Sequence, residues 1–124
     1  MRFIRSLAAA GAALALASPA LAQPRQVVVE VWSFGFAPRP IHLAAGQPVT
    51  LTFVNRSGSS HDFTAPAFFG RSAISAGAVE DGEVELRPHE TVSVTLTPAR
   101  GTYSAHCSHF LHKQMGMSNQ IIVD

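Results

Sequence analysis

Between Val49 and Val54 an apolar side chain falls at every second position. The same rhythm returns in Thr91–Thr97, where Val92, Val94 and Leu96 share one face and threonine or serine the other. A two-residue period belongs to half-buried strands and is incompatible with a helix, whose faces repeat every 3.6 residues. Five further segments read as strands: the valine-rich Gln26–Val31, then Ile41–Leu43, Val84–Leu86, Thr102–Cys107 and Gln120–Val123. Pro38, Pro40, Gly46, the cluster Asn55–Ser60 and Gly101 separate them as turns. The stretch from Ala65 to Gly82 is irregular and leaves room for a short helix or a long loop. Seven or so short strands without a long helical pattern predict an all-β sandwich.

The first 22 residues stand apart. Arg2 and Arg5 are followed by a small apolar run from Leu7 to Ala17, then Pro19 and Ala20-Leu21-Ala22. A charged start, an apolar middle and an A-x-A ending are the marks of a secretory signal peptide, cleaved after Ala22. The run is too short to span a membrane. No cysteine at the cleavage point supports a lipid anchor. The expected organisation is therefore 1–22 as signal and 23–124 as one domain, placed in the periplasm with no membrane span in the mature chain.

The whole chain carries nine basic and eight acidic residues. Losing Arg2 and Arg5 takes the mature charge from +1 to about −1. That balance excludes a dedicated nucleic-acid binder, which carries a concentrated basic patch. The single cysteine, Cys107, rules out an internal disulfide framework. In an oxidising compartment an unpaired thiol is a liability, so Cys107 calls for burial, an intermolecular bridge or a metal.

The chemistry gathers in the run Tyr103–Met117. If Tyr103, Ala105 and Cys107 share the inward face of a strand, His106 faces away. His112 follows Cys107 by five residues, and Met117 follows His112 by five. Thiolate, imidazole and thioether form a soft donor set suited to copper moving between Cu(I) and Cu(II). His61, just past the Ser57–Ser60 turn, is the best candidate for a fourth ligand from elsewhere in the chain. Two histidines, one cysteine and a weak axial methionine make the blue-copper arrangement.

These residues resemble the cupredoxins, the type 1 or blue copper proteins of the plastocyanin and azurin kind. The likeness rests on a strand ending in Asn55, His61 shortly after it, Cys107-x4-His112-x4-Met117, Gly116, and the closing strand Ile121–Val123. It implies an eight-stranded Greek-key sandwich with one mononuclear copper at a loop-rich pole, held by His61, Cys107, His112 and Met117. His109 and Met115 compete with His112 and Met117 as donors. The family's usual asparagine after the first histidine is here Asp62, which by resemblance would brace the ligand loop at Ser108. Asn119 stands where the family has a glycine and would take similar backbone angles.

The function implied is one-electron transport between redox partners by a monomer, with docking near His112, Phe110 and Leu111. The alternative is a periplasmic copper-handling protein for delivery, storage or resistance, favoured by the surplus donors His106, His109 and Met115. Zinc in a Cys-His-His site is also compatible with the residues. An enzyme is not expected, since nothing resembles an oxyanion-hole motif or a carboxylate triad. His42, His89 and His106 read as surface residues, and the acidic stretch Glu80–Glu85 as a solvated loop.

Overall fold

A computed structural model describes residues 8–14, 23–109 and 117–124. Among these residues ten strands and one short helix run in the order β1 (Arg25–Trp32), β2 (Gly35–Ala37), β3 (Ile41–Leu43), β4 (Val49–Asn55), β5 (His61–Thr64), α1 (Pro66–Arg71), β6 (Ala73–Ala76), β7 (Glu83–Leu86), β8 (Thr91–Thr97), β9 (Gly101–His106) and β10 (Ser118–Val123). They form two five-stranded sheets, β2-β1-β4-β8-β6 and β3-β10-β9-β5-β7. β1 pairs parallel with β4, and β3 parallel with β10, because the chain crosses between sheets instead of folding back as hairpins. The fold is the expected all-β sandwich.

The alternating strands supply the core. In β4 every second residue is buried, from Val49 through Leu51 and Phe53 to Asn55. Its neighbour β8 sets Val94 opposite Leu51 and Leu96 opposite Val49. Phe53 on one sheet meets Phe63 on the other with ring centroids 4.7 Å apart. Phe36 packs edge-on against the same Phe63 at 5.4 Å. Tilted and edge-on aromatic contacts of this kind add to what burial alone contributes.

Three strands lack the pattern that a half-buried strand shows, and they bring the seven segments read from the sequence to ten among the described residues. All four residues of β5 are buried, so the segment has no polar face. All four residues of β6 are exposed on a sheet edge, so it has no apolar one. β2 buries two neighbouring residues, Gly35 and Phe36, so its three residues do not alternate. The irregular stretch holds both a helix and a strand: Pro66 opens α1 at its first position, where a proline loses no hydrogen bond. Phe68 and Phe69 then anchor the helix in the core.

The sandwich has a pole at which β1, β4 and β9 end and β5 begins. Val31 is in register with Asn55 on β4, Leu86 with His61 on β5, and Thr64 with His106 on β9. This pole carries the candidate site. Among the described residues no helix is long and apolar enough to cross a membrane. The proposed signal segment lies mostly outside the described residues.

Candidate metal centre

The site starts from the turn between β4 and β5. Asn55 is buried at the end of β4. Its amide donates to the carbonyls of Ser59 at 2.8 Å and Arg87 at 2.9 Å. Its Oδ1 accepts from the Ser57 N–H at 3.0 Å and the Ser57 hydroxyl at 2.8 Å. One side chain thus closes the serine turn and ties it to the end of β7, fixing where the next residues enter β5. His61 is the first of them, only 1% exposed.

Cys107 follows directly after β9 and is also 1% exposed. Its Sγ lies 3.9 Å from Nδ1 of His61, though 46 residues separate them in the chain. The Cys107 N–H donates to the carbonyl of Met117 at 3.0 Å. That bond closes the base of the loop running from β9 to β10 and places Met117, whose side chain is wholly buried, beside Cys107. Burial pushes the Cys107 thiol up, while the backbone N–H groups of Asp62 and His109 draw it partly back. A buried thiol that receives backbone donors is suited to bind as thiolate once a cation compensates its charge.

Asp62 links the two halves of the site. Its Oδ1 accepts from the Ser108 N–H at 2.8 Å, and its Oδ2 from the Ser108 hydroxyl. The Thr64 hydroxyl donates to the same Oδ1 at 2.7 Å. This carboxylate therefore holds the residue next to Cys107 against the strand that begins with His61. His109 lies across the rim, its Nε2 3.3 Å from Glu85 Oε1 and 3.6 Å from Asp62 Oδ2. Donor atoms of Asp62, Cys107 and His109 lie within 4.8 Å of one another.

The structure thus brings together His61, Asp62, Cys107, Ser108, His109 and Met117. His112, Met115, Phe110 and Leu111 lie outside the described residues. Two sequence-based readings change. Asn119 does not take glycine-like angles; it sits in β10, buried, and its amide donates to the Pro38 carbonyl at 2.7 Å. The positive backbone angles at non-glycine residues, among those described, belong to Asp81 and His89.

The acidic stretch is also more than a solvated loop. Glu83 and Glu85 lie on β7, with Glu85 directly opposite Asp62. The alternation Glu83-Val84-Glu85-Leu86 carries that signal, with Val84 and Leu86 buried between outward carboxylates. Partial burial pushes the Glu83 carboxyl up, and the charges of Asp62 and Glu85 push it the same way. Glu85, as a partner of His109 and neighbour of Asp62, escaped the sequence because contacts across strands depend on register; Thr64 escaped it although it lies only two residues from Asp62 on the same strand.

Comparison with known proteins fits this geometry. Residues 6–123 match the cupredoxin-like domain family. The chain belongs to the cupredoxins. It is 36% identical over 121 residues to the chloroplast plastocyanin of Fritillaria agrestis, covering 96% of this chain and 70% of that protein. The chloroplast plastocyanin of Physcomitrium patens is 34% identical over 124 residues, covering 96% and 68%.

Among solved structures, auracyanin B superposes with a TM-score of 0.62 at 24% identity, covering 84% of this chain and 92% of that one. A multicopper oxidase from Campylobacter jejuni superposes at 0.64 with 12% identity, covering 86% of this chain but 31% of the oxidase. At such identities both matches speak for the cupredoxin fold alone. The second shows that the fold also serves as one domain of a larger enzyme.

Proposed function

We propose that this cupredoxin is a periplasmic type 1 copper protein that carries single electrons between redox partners and is not itself an enzyme. The observation that carries the reading is the approach of Cys107 Sγ to His61 Nδ1 at 3.9 Å, with both residues almost wholly buried. Thiolate, imidazole and thioether donors are the set that accommodates both Cu(I) and Cu(II). His61, Cys107, His112 and Met117 would hold the metal. Copper bound there would supply one-electron chemistry.

The chain's own residues do the remaining work. The Cys107–Met117 backbone bond and the Asp62–Ser108 pair hold the donor residues in place, so that little has to move when the charge changes. Burial of His61, Cys107 and Met117 keeps water from that side of the site. Plastocyanin relatives favour the carrier reading, and the charged, apolar and A-x-A features of residues 1–22 favour export to the periplasm.

A redox partner would dock at the same pole, near His112, Phe110 and Leu111. Phe34, 60% exposed on the turn after β1, and the exposed Trp32 beside it add apolar surface there. The protein is proposed to act as a monomer. A copper-handling role is the second reading, favoured by His109, which offers a further imidazole beside Cys107 and Asp62.

Loading the protein with Cu(II) tests the proposal. An intense visible thiolate-to-copper band is expected, lost in Cys107→Ser and retained in His109→Ala. A pale complex would overturn the type 1 site, and loss of colour in His109→Ala would move the ligand set to His109. Slow electron self-exchange together with rapid copper loss to a chelator would favour handling over transport.

A further inference from the structure

The outer face of β9 and β10 plays no part in the proposed copper site. Their antiparallel register sets Ser118 opposite His106 and Gln120 opposite Ser104. Tyr103, Ala105, Asn119 and Ile121 on the same strands are buried, so alternation turns those four polar side chains outward together. Directly opposed residues stand about 5 Å apart at Cβ, close enough to act on one small ligand. The corner at Arg39 and Pro40 walls this grid, leaving a cavity of about 430 Å³. Asn119 holds the corner to the sheet through its bond to the Pro38 carbonyl.

The lining is one-sided in charge. It offers a guanidinium, an imidazole, two hydroxyls and two carboxamides, and among the described residues it includes no carboxylate. Ion pairs among the described residues engage Arg56 and His109, and Arg39 enters none of them.

We propose that this cavity binds a small oxyanion of the phosphate or sulfate class. The planar fork of Arg39 presents parallel N–H donors that match two oxygens of such an anion. The Ser104 and Ser118 hydroxyls and the Gln120 amide donate from the sheet side. Because every polar group of the lining except Arg39 stands on β9 or β10, whose register is fixed, the site is largely preformed. It requires neither His61 nor Cys107, so it stands whether or not copper binds at the pole.

Titrating inorganic phosphate and then sulfate into the full chain at constant ionic strength, followed by amide chemical shifts, tests the site. Saturable shifts centred on Arg39, Ser104, Ser118 and Gln120 are expected, with none from chloride. Arg39→Ala should weaken binding by about tenfold or more, the loss of a charged hydrogen-bonded contact. Ser104→Val suits an exposed strand position and should weaken binding several-fold. Arg100→Ala removes the same charge just before β9, at the far end of that strand, and should leave binding unchanged. Non-saturating shifts, an equal response to chloride, or equal losses in Arg39→Ala and Arg100→Ala would overturn the proposal.

Discussion

Asp62 is a carboxylate inside the fold, and three donors converge on its two oxygens: the N–H and hydroxyl of Ser108 and the hydroxyl of Thr64. A carboxylate takes all three as acceptor, whereas an asparagine there would turn an N–H2 group toward one of them. Asp62→Asn should therefore lower unfolding stability by about 1–3 kcal/mol, measured by denaturant titration. The substitution also removes a negative charge from beside Cys107. A nearby negative charge favours the more positive metal ion, so the reduction potential of the copper-loaded protein should rise, read by voltammetry. An unchanged potential would mean that the Asp62 charge does not reach the metal. The identity and spacing of Asp62 and Ser108 stand in the sequence. The opposition of Glu85 to Asp62 does not, because it arises only when β7 takes its register on β5.

At the scale of elements, the segment between β5 and β7 has to turn twice within a small space. The Ala65 N–H donates to the Gly82 carbonyl at 2.9 Å, pinning the start of α1 to the turn before β7. Gly82 has a φ of +74°, and a Cβ added there would lie 2.6 Å from Cα of Pro66. Both the backbone angle and a contact with main chain oppose any side chain. Gly82→Ala should cost about 1–3 kcal/mol, seen as a lower denaturant midpoint with an unchanged slope. Gly70 in α1 makes the contrast, since a Cβ there meets nothing within 4 Å. Gly70→Ala should be neutral or stabilise by up to about 1 kcal/mol. This region was the least legible in the sequence for a physical reason. Periodicity detects a strand with two unlike faces, but β5 is buried on both and β6 exposed on both. Strands β4 and β8, each with one wet and one dry face, stand out in the sequence alone.

Across the whole molecule, the core binds the sheets through Phe36, Phe53 and Phe63, while charge is spread unevenly. Nine basic and eight acidic residues nearly cancel over the whole chain. Even so, ligand oxygens of Asp62, Glu83 and Glu85 lie within 4.8 Å of one another at one sheet edge. Composition reports only the sum; the fold makes the concentration, by pairing β5 with β7. Partial burial, followed by the Asp62 and Glu85 charges, raises the Glu83 carboxyl above its ordinary range, and His109 opposes this. The folded protein then keeps a proton on Glu83 at a pH where the unfolded chain has released it. Stability contributed by this group is therefore present at low pH and lost as pH rises through the raised value. Glu83→Gln removes that loss. Urea unfolding at pH 7 should find the variant more stable than the parent, by a margin kept small because the half-buried Glu83 keeps contact with solvent, which screens its neighbours' charges. The margin should shrink as the pH falls and disappear at about pH 3, where glutamate in the unfolded chain also holds its proton. A margin that grows as the pH falls would mean that Glu83 is held by an attractive partner and not repelled by Asp62 and Glu85.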